Sequence, residues 1–157
     1  MNSIRQLIIV FLITFVSVAQ ADPVRLSPKR GEMLTFQRTY SHEHLAENPT
    51  QFVDRMIVQI FWDRNNLEPQ LVISLWKVGD TDCYEGQSLA EPGPGGSVKL
   101  QLEGDGGTAT IEPNEGYVLL KLRGDDYLGF EGQREFVSLS AKDPAHRTFK
   151  LYPVKKK

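Results

Sequence analysis

Cysteine is nearly absent, with Cys83 alone among 157 residues. No disulfide can form within the chain, so the fold must rest on an apolar core even where the compartment would permit bridges. Cys83 is expected to be buried, the usual place of an unpaired cysteine; a Cys83-linked dimer is the alternative to a monomer. Histidine is scarce too, with three residues. There is no Gly-x-Ser-x-Gly elbow, no His-Glu-x-x-His helix and no glycine loop ending in Gly-Lys-Ser/Thr. Serine-hydrolase, helical zinc-protease and P-loop chemistry therefore find no support. No catalytic residue and no cofactor are assigned. A basic excess is also missing, because 18 basic residues stand against 20 acidic ones for a formal charge of −2. A nucleic-acid binder would carry a basic stripe. Lys155-Lys156-Lys157 reads instead as a solvated tail.

Long apolar runs are limited to one. Leu7 to Val18 (LIIVFLITFVSV) falls short of the roughly 20 residues a membrane helix needs. Arg5 precedes it and Ala19-Gln20-Ala21 follows, which is the pattern of a secretory signal cleaved after Ala21. Cleavage removes only Arg5 among the charges and moves the net charge to −3. The expected product is periplasmic or secreted, with no remaining transmembrane segment. Residues 22–157 are expected to form a single domain, with 22–32 and 155–157 flexible.

Helical periodicity is missing as well. Only SHEHLAENP (Ser41 to Pro49) has helical composition, for at most two turns, with Ser41 placed to cap it. The rest alternates apolar and polar residues in short segments bounded by Gly, Pro, Asn and Asp: LTFQRTY, VDRMIVQIFWD, QLVISLWKV, SVKLQLEG, GTATIEP, GYVLLKL, REFVSLSA and RTFKLYPV. CYEGQSL and YLGFEG add one or two more. This predicts an all-β antiparallel meander of about eight to ten strands, closed or partly closed into a barrel. A two-sheet sandwich is the alternative. Such a barrel is either filled by side chains or holds one small apolar ligand.

One hairpin has a legible register. With Asp63 opposite Gln70, Trp62 faces Leu71, Ile60 faces Ile73 and Val58 faces Leu75, which makes an apolar core face. A shift of two residues keeps those faces, whereas a shift of one exchanges them. The opposite face then carries Ile57, Phe61, Val72 and Trp76 together. Four adjacent apolar residues there are either a minor core under another segment such as HLAEN, or a surface for a partner or ligand.

YSHEHL (Tyr40 to Leu45) and distant His146 raise the question of a metal site. His42 and His44 diverge by about 200° if helical and need a third ligand, so a polar turn is the expected reading. Asp80, Asp82 and Glu85, and the Asp125-Asp126 pair, lack the ligand ladder that calcium requires. AEPGPGGS (Ala90 to Ser97) and EGDGGT (Glu103 to Thr108) read as inter-strand connections. Arg123-Gly124-Asp125 reads as a turn.

The segment YSHEHLAENPTQFVDRMIVQIF resembles one in small exported proteins of proteobacteria. There a Tyr, a His-Leu pair and a Pro-x-Gln lead into a long strand, as Tyr40, His44, Leu45, Pro49 and Gln51 do here. EGDGGTATIEP is similar to a cysteine-bearing turn of those proteins but lacks the cysteine, and Phe149-Lys150-Leu151 is similar to a motif near their C-terminus. The resemblance implies an exported β-domain without an assigned activity. The function expected is a non-catalytic binding or protein-interaction module for an envelope protein or small apolar ligand. Alternatives are an inhibitor or protective protein of an envelope enzyme acting through loops such as EPGPGGS, and a small metalloprotein using His42, His44 and His146.

Overall fold

The computed structural model describes residues 22–155; the expected signal segment 1–21 and the last two lysines lie outside the described residues. Eleven strands run through it: β1 (Glu32–Thr39), β2 (Val53–Trp62), β3 (Gln70–Lys77), β4 (Tyr84–Leu89), β5 (Glu91–Pro92), β6 (Val98–Gln101), β7 (Thr108–Asn114), β8 (Tyr117–Lys121), β9 (Tyr127–Glu131), β10 (Phe136–Ser140) and β11 (Thr148–Pro153). They form one antiparallel sheet curled into a half-barrel, in the order β10-β9-β4-β3-β2-β1-β11-β8-β7-β6-β5. Ten coincide with the alternating segments of the sequence, and the two-residue β5 is the addition.

Sequential hairpins build β1 to β4 and β5 to β8. The last strand leaves that pattern, inserting β11 between β1 and β8. Its pairing with β1 is brief, at Phe36 with Pro153 and Gln37 with Tyr152. The sheet then curls until β7 and β6 meet β9 and β4. Gly107 bridges Leu128, Gly129 N–H donates to Gly106 O at 2.8 Å, and Glu103 N–H donates to Gln87 O at 2.8 Å.

Inward positions supply the core. Met56, Val58, Ile60, Leu71, Ile73, Leu75, Ile111, Leu120, Phe130 and Phe149 have no solvent-accessible area. Side chains in that condition border no void large enough for water. The interior is filled. Ahead of β1, Val24 N–H donates to Asn114 O, Arg25 pairs with Glu32, and Leu26 enters the core at 2 % exposure.

The short helix α1 (His42–Glu47) connects β1 to β2 at one end of the barrel. Ser41 Oγ accepts from His44 N–H at 3.2 Å, which caps it as the sequence suggested. Tyr40 and Phe52, the residues flanking this connection, pack against the core.

Candidate functional site

The β2–β3 ladder pairs Phe61 with Gln70, Ile60 with Leu71, Val58 with Ile73 and Met56 with Leu75. Relative to the expected register this is a slip of two, so every face is kept. Outward residues on β2 are Arg55, Ile57, Gln59 and Phe61; on β3 they are Gln70, Val72, Ser74 and Trp76. Ile57, Phe61, Val72 and Trp76 thus share one face, and all four are half-buried. They do not pair directly. Each faces a polar residue across the ladder (Ile57 with Ser74, Phe61 with Gln70, Val72 with Gln59, Trp76 with Arg55), so the apolar groups meet on diagonals. Helix α1 sits between Tyr40 and Phe52 at the barrel end.

The face has specific electrostatics. The Arg55 guanidinium lies 3.7 Å from the centre of the Trp76 ring, close enough for strong cation–π attraction. On β1, Met33 pairs with Phe61 and Thr35 with Gln59, and the Gln59 amide reaches Met33 Sδ at 3.3 Å. Further round the barrel, Lys150 Nζ lies 3.9 Å from the Tyr117 ring centre, and Arg38 lies between the Tyr40 and Tyr152 rings.

YSHEHL lies at the barrel end. His42 is exposed on the first turn, while the His44 ring stacks on Tyr40 with centroids 4.9 Å apart. Burial pushes the Tyr40 phenol up, partly offset by the Gln51 side chain and the Arg38 charge. His146 ends a 3-10 turn over Pro144–His146 and is 5 % exposed. It meets Phe52 edge-on at 4.7 Å. Its Nδ1 stands 3.7 Å from Asp143, and its Nε2 is buried with no hydrogen-bond partner. Burial pulls its pKa down, against an opposing pull from Asp143. Among the described residues no group of three or more His, Cys, Asp or Glu is placed to hold a metal.

Cys83 is half-buried, and burial together with the neighbouring Glu85 carboxylate pushes its thiol up. The Ala90–Ser97 connection folds into a 3-10 turn at Pro94–Gly96, closed by Ser97 Oγ donating to Pro94 O at 2.7 Å.

Two features were missed from sequence. The first is a charge cluster that ties the β9–β10 turn to the β3–β4 connection. The Tyr84 hydroxyl sits 2.8 Å from Asp80 Oδ2 and 3.0 Å from Glu135 Oε1. Lys77 pairs with Glu135, and Arg134 grips Asp82 with two bonds of 2.9 Å. Burial and the Asp80 carboxylate push the Tyr84 phenol up to about 12. The second is a cleft of about 580 Å³ at the seam, bordered by Glu85, Glu103, Asp105, Glu131 and Phe136. Their members are spread along the chain, and no local spacing signals them.

No family model matches the chain, and no curated protein or solved structure matches it.

Proposed function

We propose that the protein is an exported, non-catalytic binding module whose contact surface is the outer face of the β2–β3 hairpin. The observation that carries this reading is the half-buried diagonal of Phe61, Val72, Ile57 and Trp76, with Arg55 stacked on the indole. Aromatic residues and arginine are the side chains most enriched where binding energy concentrates. The filled interior favours a surface contact over a ligand held inside. Export is supported by Arg5, the apolar run and Ala19-Gln20-Ala21.

A photocrosslinking residue at Gln59, in the middle of the face, tests this in the native compartment. A control residue at Glu103, on the seam, reports random encounter. Adducts from position 59 but not from 103, lost in a Phe61→Ala/Trp76→Ala variant that keeps its fold, are the expected result. Equal adducts at both positions, or none at 59, would remove this face as the contact surface.

A further inference from the structure

We propose that this outer face docks on an anionic phospholipid bilayer, an inference that rests on the contact surface proposed above and names its partner. Within its regular part, from Arg55 onward on β2, the register places only uncharged or basic side chains outward on five consecutive strands, β8, β11, β1, β2 and β3. The one carboxylate of these strands that borders the face is Asp54, at the bulge ending the β2–β3 ladder, where it lines a surface cleft with Thr39, Arg55 and Trp76. The rest of the face is free of acid in a chain with 20 acidic residues and a net negative charge. The outward carboxylates begin at the flanks, with Glu85 on β4 and Glu112 on β7, and Glu112 is already paired with Lys121 and Arg123.

Two cations on the face, Arg55 and Lys150, have no acidic partner among the described residues and lie over aromatic rings instead. A ring fixes the position of a cation without neutralising it, so its remaining donors stay free for phosphate oxygens. Beside them, Met33, Val154 and Tyr152 are 42, 40 and 39 % exposed. Val154 N–H donates to Thr35 O at 2.8 Å, so the start of the lysine triplet Lys155-Lys156-Lys157 is carried beside this same face.

Exposed apolar and tyrosyl groups rimmed by uncompensated cations match the interface of a bilayer. There tyrosine sits at headgroup depth and each basic residue near an anionic surface adds attraction. An anionic glycan fits less well, because sugar stacking needs open ring faces and the cations occupy those of Trp76 and Tyr117.

The test uses residues 22–157, which contain every described strand; the apolar run Leu7 to Val18 would itself enter lipid. Co-sedimentation is measured with phosphatidylcholine vesicles, with and without phosphatidylglycerol, at low and high salt. About tenfold or greater partition onto the anionic vesicles, weakening with salt, is expected. An Arg55→Gln/Lys150→Gln variant should lose most of it. A charge-matched Lys99→Gln/Lys142→Gln variant should keep it, with circular dichroism confirming each fold. Equal partition onto both vesicle types, or equal loss in the two variants, overturns the proposal. If vesicles are ignored while position 59 still yields a protein adduct, the bilayer is wrong and the contact surface stands. If both fail, both readings fall.

Discussion

Gly107 and Tyr127 are packed backbone to backbone across the seam of the half-barrel. A Cβ on Gly107 would lie 1.9 Å from the Tyr127 carbonyl oxygen, and Gly107 has φ +82°. Both demands admit only glycine: the left-handed backbone penalises a side chain, and the opposing atom belongs to main chain that cannot rotate away. Gly107→Ala is therefore expected to open the contact between β7 and β9. Backbone strain alone costs about 1–3 kcal/mol at such a site, and the clash adds to it. Urea unfolding of the variant, compared with Gly104→Ala where a Cβ meets nothing within 4 Å, checks this. A similar loss in both variants would mean that strain matters and the seam does not.

His146 makes the barrel end sensitive to mild acid. Its folded pKa lies below its ordinary value because burial disfavours the imidazolium. The unfolded chain then takes up a proton before the folded one does. The stability this residue confers is fully present above about pH 6.5 and declines as pH falls below it. The charge that acts on it is Asp143 at 3.7 Å, and the rings of Phe52 and Phe149 lie against the imidazole. In His146→Leu, the slope of unfolding free energy against pH between about 5 and 7 should flatten. An unchanged slope would place the titration elsewhere.

The charge cluster around Tyr84 predicts a second, lower window. Hydrogen bonding to Lys77 and Tyr84 holds the Glu135 carboxyl below its usual range. The Asp82 backbone N–H and the Tyr84 hydroxyl do the same for Asp80. Folded pKa values below the unfolded ones give stability that is present above about pH 4 and lost as pH falls further. Tyr84 works in the opposite sense: its phenol, raised to about 12, favours the fold below about pH 10 and ceases to as pH climbs past that. Glu135→Gln should lower the urea midpoint at pH 7 yet match the parent near pH 3. A deficit of the same size at both pH values would show a packing role instead of an ionic one.

How far the sequence could be read depended on how local the information was. Alternation in ten segments reflects a filled interior: each inward residue had to be apolar, so the strands and their faces were visible. Ser41 as a cap was equally local. The register slip at β2–β3 came from the loop. The Asp63 carboxylate accepts from Asn65 N–H at 2.9 Å and the Trp62 indole N–H donates to Asn66 O at 3.1 Å. That turns the chain out of the ladder before Asp63 can pair with Gln70. The placement of β11 between β1 and β8 was hidden, because it depends on contacts across most of the chain. So was the Tyr84 cluster, whose members Asp80 and Glu135 are joined only because β9 pairs with β4, far from it in sequence.

Leu75 and Trp76 are neighbours in sequence on opposite faces of β3, and the comparison between them decides whether the outer face is a surface. Leu75 has no solvent-accessible area, and Leu75→Ala should cost about 2–5 kcal/mol through lost burial and a residual cavity. Trp76 is larger, but it is half-buried and its outer contact is the exposed Arg55. Its truncation leaves a dent rather than a void, so Trp76→Ala should cost about 1 kcal/mol. Chemical denaturation of both variants measures the difference. If Trp76→Ala proves as damaging as Leu75→Ala, the indole is part of a covered second core. A small cost would leave a large aromatic side chain whose main use lies outside the fold, in contact with whatever the face meets.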